Sequence, residues 1–346
     1  MIKTAFKSIL LFSILVLSSN ITNAQKKFES ATEYMDYIGE HYKQLTDDQW
    51  SYTSAVANDK SAKKIENKRV ELLRTNKEAQ NKIGNMSGFG GNTEYRDSIV
   101  SFLRLNYNVL NDDYDKIVDM EEIAEQSYDF MEAYLMAQEQ ASAKINAASD
   151  MLSIVQKKFA EDNNITMIDG EDSKKTKKLA QASKTYKYYN VVYLIFFKAY
   201  KQEAFFMEAM NTGDVNSMEQ SKNALIEYAE EGLDKLKSIK PFEGDNSLKI
   251  AADEILKFYK QEGNDAQVLI DFYLNKEKFE AIRTAFEAKK KGKKTNEDID
   301  QYNKAINDYN ESSNAYNATN ERLNKTRSKQ LDNWNNTATK FTKKHI

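Results

Sequence analysis

The chain has 346 residues with no cysteine, two histidines, a single proline and a formal net charge of −3. The missing cysteine excludes disulfides, thiolate metal sites, cysteine catalysis and a lipidated N-terminal cysteine. The near balance of 50 basic against 53 acidic residues argues against a nucleic-acid partner. One proline and eleven glycines among abundant Ala, Glu, Lys, Asn and Tyr point to long, seldom interrupted helices, and no stretch alternates apolar and polar residues over strand length. The expectation is an all-α protein.

Residues 1–24 carry Lys3 and Lys7, an apolar run over 9–17, and Thr22-Asn23-Ala24 with small residues where a signal peptidase reads. This pattern predicts a cleaved secretory signal, with the mature chain starting at Gln25. Its apolar core is too short to span a bilayer, and no transmembrane segment is expected in the mature chain. Losing Lys3 and Lys7 moves the charge from −3 to −5, since −3 − 2 = −5.

Helical spacing begins at Tyr34, Tyr37/Ile38, Tyr42, Leu45, Tyr52 and Val56, and is broken at Asn58-Asp59-Lys60. A second helix runs on Ile65, Leu72/Leu73, Ala79 and Ile83 to the loop Ser87-Gly88-Phe89-Gly90-Gly91-Asn92-Thr93. A third shows Tyr95, Ile99, Phe102/Leu103 and Val109/Leu110. The fourth has a heptad seam, Met131, Gln138, Ile145, Leu152 and Phe159, which predicts antiparallel bundle packing. Residues 25–165 form the first expected domain, and the polar stretch 166–182 reads as a linker.

Residues 183–346 form the second domain. Residues 191–197, the most apolar mature segment, read as a buried helix; the competing reading is a segment that inserts into membranes, as in a helical pore-forming toxin. The next helix ends at Pro241 in the loop Lys240-Pro241-Phe242-Glu243-Gly244-Asp245-Asn246-Ser247. This loop echoes the first. An ungapped shift of 153 matches ten identities over the 52 positions 66–117, among them Phe89 with Phe242 and Gly91 with Gly244. Random pairing gives roughly three. The reading is an internal duplication: two tandem antiparallel helical bundles, with the glycines turning the chain at positive φ, the Asx or Thr capping the next helix, and the phenylalanines plugging a core end.

The offset grows to 341 − 159 = 182 at Phe159 and Phe341, so the second copy holds 182 − 153 = 29 extra residues. Tyr302, Tyr309, Tyr316 and Leu323 keep a spacing of seven through the insertion, which predicts an extended helical hairpin projecting past the bundle. Its tip, residues 289–294, carries Lys289, Lys290, Lys291, Lys293 and Lys294. These lysines are the candidate partner-binding residues, and an anionic lipid or polysaccharide of the cell envelope is the partner they suit.

No catalytic, cofactor or metal constellation is legible. His41 and His345 make no ligand pair, the neighbouring acidic pairs diverge around helices, and the glycine-rich loop lacks the strand and Lys-Ser/Thr of a phosphate loop. The function classes left are an exported, non-enzymatic envelope or surface module and, as the alternative, a membrane-acting helical protein using the long hairpin or residues 191–197. Residues 240–249, the block Leu256-Lys257-Phe258-Tyr259-Lys260 and the terminal Lys340-Phe341-Thr342-Lys343-Lys344-His345 resemble a bacterial surface-protein family first named from a leptospiral member and widespread among Bacteroidota. The resemblance implies an exported helical protein with no assigned activity. Family members are often lipidated, and this chain departs from that pattern because it has no cysteine.

Overall fold

The computed structural model describes residues 27–58, 61–113, 120–121, 123–168 and 171–346. The signal expected over residues 1–24 lies outside the described residues, as do Asp59 and Lys60 of the first helix break. Within the described residues the chain is all-α. Its helices are α1 (Ala31–Ala57), α2 (Ala62–Gly84), α3 (Glu94–Asn108), α4 (Tyr128–Asp162), α5 (Glu171–Thr212), α6 (Val215–Ser238), α7 (Ser247–Ala288) and α8 (Asn296–His345).

Helices α1 to α4 bury one core, with Tyr34, Ile38, Leu72, Ile83, Leu103, Leu152 and Phe159 among its members. Helices α5 to α8 bury a larger one that includes Val192, Phe196, Phe206, Leu225, Leu256, Tyr259, Leu323, Trp334 and Phe341. Each follows from the apolar stripe that its helices present at intervals of three and four residues. Gly263 is the close-approach point of the second core. A Cβ there would lie 2.5 Å from Ile226 Cγ1, so only glycine lets α6 close on α7 at this level.

Residues 166–182, expected as a linker, are helical from Glu171 onward and form the first turns of α5. Their polarity is that of a helix lying on the outside of the first bundle. Lys175 pairs with Asp47, Lys178 Nζ stands 5.2 Å over the Trp50 ring, and Ala182 is buried. At 42 residues, α5 is about 63 Å long and runs from one bundle into the core of the other. A separate buried cluster, Met131 and Leu135 of α4 against Phe197 of α5, joins the bundles further along. Residues 191–197 lie mid-helix in α5: Val192, Phe196 and Phe197 are buried while Val191 is 42% exposed.

The two glycine loops have the same backbone. Gly90 and Gly91 have φ of 58° and 84°, and Glu243 and Gly244 have 50° and 85°. Both pairs are the two central residues of a turn with positive φ at each, closed by a bridge between Phe89 and Asn92 or between Phe242 and Asp245. In the first loop Asn92 Oδ1 accepts from the Glu94 amide at 2.8 Å, and in the second Asp245 Oδ1 accepts from the Ser247 amide at 2.8 Å. Arg96 Nη1 donates to the Met86 carbonyl at 2.6 Å and Lys249 Nζ to the Ile239 carbonyl at 2.9 Å. The pairs are again 153 apart, since 249 − 96 = 153 and 239 − 86 = 153.

The phenylalanines close bundle ends. Phe89 meets Tyr34 at 5.7 Å and Phe159 at 6.1 Å between ring centroids, with Tyr34 and Phe159 5.6 Å apart. Phe242 meets Tyr188 at 5.2 Å and Phe341 at 5.5 Å, with Tyr188 and Phe341 again 5.6 Å apart.

Candidate functional site

Helices α7 and α8 outrun the rest of the second bundle. The corner between α5 and α6 reaches α7 at Tyr273, whose hydroxyl donates to the Met210 carbonyl at 2.7 Å. From there α7 continues to Ala288, 288 − 273 = 15 residues or about 22 Å. No residue of α7 beyond Ile270 is buried, and on α8 only Ala305 is buried before Leu323. The two arms therefore pack chiefly on each other.

What joins them is a ladder of rings. Phe272, Phe279 and Phe286 recur every seven residues on α7, and Tyr302, Tyr309 and Tyr316 do so on α8. Phe286 stacks on Tyr302 with centroids 4.4 Å apart and planes at 2°. Phe279 stacks on Tyr309 at 5.1 Å, and Phe272 meets Tyr316 at 4.7 Å. Such pairs add about 0.5–1.5 kcal/mol each beyond the area they bury, which suits a shaft that has no deeper core.

At the tip, a short 3-10 turn over Lys291–Lys293 reverses the chain. Thr295 and Asp298 then start α8 with a reciprocal cap: the Asp298 amide donates to Thr295 Oγ1 at 3.2 Å, and the Thr295 amide to Asp298 Oδ2 at 2.9 Å. The five lysines divide by role. Lys289 Nζ lies 2.5 Å from Asp298 Oδ1, and this ammonium together with the Thr295 amide holds the Asp298 carboxyl down to about 2. Lys294 Nζ sits 3.9 Å over the Phe286 ring. Lys290, Lys291 and Lys293 are exposed. The tip thus carries three exposed cations on a capped turn.

A second charged constellation lies in the core below the hairpin, and sequence reading missed it. Glu203 of α5, Glu262 of α7 and Arg327 of α8 meet inside the second bundle. The Arg327 guanidinium pairs with both carboxylates, and Glu262 is 0% exposed. Burial, reinforced by the neighbouring Glu203 charge and opposed by Arg327, pushes the Glu262 carboxyl up to about 8. Burial raises Glu203 as well. Two carboxylates against one guanidinium therefore keep one proton between them at neutral pH, which leaves the cluster close to neutral. A usable signal existed, because Glu262 falls in the seam Leu248, Ile255, Glu262, Leu269 and Arg327 precedes Trp334 by seven.

The other expected site residues fall as follows. Phe89 and Gly91 lie in the loop closing the first bundle, Phe242 and Gly244 in the loop closing the second, and the tip lysines stand apart from both. Among the described residues no group of three or more His, Cys, Asp or Glu side chains is placed to hold a metal ion. No described helix is long and apolar enough to cross a membrane. No family model matches the chain, and no curated protein and no solved structure matches it either.

Proposed function

We propose that the chain is an exported, non-enzymatic helical protein of the cell envelope or surface, a binding or structural module built by duplication of one bundle. In this reading the second copy carries its contact surface outward on the lengthened hairpin, and the resemblance of residues 239–345 to exported surface proteins points the same way. The observation that carries it is the tip: Lys290, Lys291 and Lys293 are exposed on a capped turn about 22 Å beyond the bundle. The partner is an anionic envelope component, phosphate-bearing lipid or polysaccharide, met first by the tip of an otherwise mildly acidic protein.

The test is retention on vesicles of anionic lipid and on lipopolysaccharide, measured against ionic strength. Retention should fall steeply with salt as screening shortens the field's reach, and Lys290→Gln, Lys291→Gln and Lys293→Gln together should abolish it with an unchanged melting temperature. Those three leave the Lys289–Asp298 pair and the Lys294–Phe286 contact in place, so a loss of binding is not a loss of the turn. Equal retention of the triple variant would refute the reading, and leakage of vesicle contents would move the protein to the membrane-acting class.

A further inference from the structure

Helix α4 is apolar on two sides, and the chain covers only one of them. Leu152 and Phe159 enter the first core, and Met131 and Leu135 pack with Phe197 of α5. On the far side Met136, Ala143, Ala147, Met151 and Ile154 follow one another at intervals of seven, four, four and three. They form one stripe of 154 − 136 = 18 residues, about 27 Å long. Met136 is 54% exposed, Met151 69% and Ile154 67%, and both alanines are exposed. A helix on the surface of a bundle ordinarily turns a polar back to water, and a continuous apolar one marks a contact.

The second bundle supplies the control. The offset of 182 between α4 and α8 carries the five positions to Ala318, Lys325, Lys329, Asn333 and Asn336, since 136 + 182 = 318 and 154 + 182 = 336. There the back of the helix is polar and basic, so a helix in this place does not require an apolar one.

We infer that a second copy of this chain covers the stripe, the two α4 helices packing antiparallel about a two-fold axis level with Ile145. In that register, positions whose numbers sum to 290 face each other. Met136 meets Ile154, because 136 + 154 = 290, and Ala143 meets Ala147, because 143 + 147 = 290. Long, adaptable side chains then interleave toward the ends, and the helices approach most closely over small ones at the centre. Beyond the apolar residues Glu132 faces Lys158 of the other copy, since 132 + 158 = 290. Each already has one partner in its own chain, the Tyr128 hydroxyl for Glu132 and Glu94 for Lys158, and each has hydrogen-bonding capacity left. A parallel pair would set Glu132 on Glu132 and Lys158 on Lys158. The charges therefore select the antiparallel arrangement, supplying orientation more than affinity. A two-fold contact uses the same patch on both molecules, and this stripe is complementary to itself. On α8 the same register would set Lys325 against Lys329, which bars the second bundle from pairing this way. The inference stands apart from the hairpin tip and from what the tip contacts.

The experiment is sedimentation equilibrium of the chain from Gln25 to Ile346 over a range of concentrations. A monomer–dimer equilibrium is expected. Met151→Glu with Ile154→Glu should raise its dissociation constant at least about a hundredfold and leave the helical content unchanged, because both side chains are exposed within one chain. The absence of cysteine lets single cysteines report the register. In an equal mixture, oxidation should cross-link Met136→Cys protein to Ile154→Cys protein, and neither to its own kind. A monomer at every concentration up to the solubility limit, a dimer that survives the double glutamate variant, or self-cross-linking of either cysteine variant would overturn the inference. So would retention of the unmodified protein, but not of the glutamate variant, on vesicles of neutral lipid, since the stripe would then be a membrane face.

Discussion

The two bundles close their ends alike and fill their middles differently. Where the second bundle buries Glu262 and Arg327, the sequence offsets of the two bundles set Val109 and Ile145 against them, since 262 − 109 = 153 and 327 − 145 = 182. Val109 and Ile145 belong to one apolar cluster with Ala141 and Leu105. The chain differs there as well. Val109–Asp113 is a π-helical turn that ends α3, whereas α7 runs straight through Glu262 and on to the hairpin. The first bundle has an apolar cluster at the aligned positions and the second a charged one, so the comparison asks whether the second bundle needs its charges to fold. The charged cluster stands within the core, with Leu269, Ile270 and Leu323 buried between it and the point where the arm leaves the bundle.

The sharpest way to break the comparison is Arg327→Ile, which gives the second bundle the first bundle's residue while leaving two carboxylates buried. A loss of about 3–5 kcal/mol is expected from chemical denaturation. Adding Glu203→Gln and Glu262→Val should restore most of it, since an apolar replacement of a buried ionic cluster is often neutral or stabilising. A triple variant as unstable as the single one would show that the two middles are not interchangeable.

Protonation gives a smaller effect with a definite sign. Glu262 in the folded protein holds a proton up to about pH 8, whereas an unfolded Glu releases it near its ordinary 4.5. Between those values the folded state binds more protons, so stability is greatest at the acidic end of the window and falls as pH rises through it. Asp245 and Asp298 are shifted down and lose their contribution only below that window. Melting at pH 5.5 and 8.5 should differ by on the order of 2 kcal/mol at the second bundle, and Glu262→Gln should remove the difference. A flat profile in the unmodified protein would contradict the assignment of a retained proton.

The smallest effects test the likeness rather than the difference. A Cβ at Gly91 or Gly244 meets nothing within 4 Å, so Gly91→Ala and Gly244→Ala report backbone strain alone. With φ of 84° and 85° each should cost about 1–2 kcal/mol, and equally. Glu243→Gly, at φ 50°, should gain less than about 1 kcal/mol by relieving the only non-glycine at its turn. Unequal costs for the two alanines would separate loops that the sequence aligns.

Much of the fold was legible because its signals are periodic or rest on single special residues. Ile38, Leu45 and Tyr52 announce α1 by spacing alone, Pro241 and the glycines mark the turns, and the tyrosines at every seventh position foretell the hairpin. The facing row, Phe272, Phe279 and Phe286, has the same period and only needed to be set against the tyrosines. The start of α5 is not legible because its polarity reads as a loop, although Lys175 and Lys178 sit on a helix whose partner is another helix's outer face. Glu203, Glu262 and Arg327 were missed for the opposite reason: one charge in each of three seams reads as an interruption until the fold brings the three together. The split among the tip lysines could not be read at all, because Lys289 and Lys294 are engaged only once Asp298 and Phe286 fold back beside them.

The ring ladder also makes the hairpin a ruler. Every seventh residue repeats the same Phe-on-Tyr contact, so deleting seven residues from each arm, 274–280 with 303–309 for example, brings one rung onto the next and leaves both the Tyr273 anchor at the root and the capped turn in register. Reach then changes in steps of about 10 Å, the rise of one heptad. A lineage could lengthen or shorten the distance between bundle and contact surface rung by rung, as a builder chooses a rod, without redesigning either end.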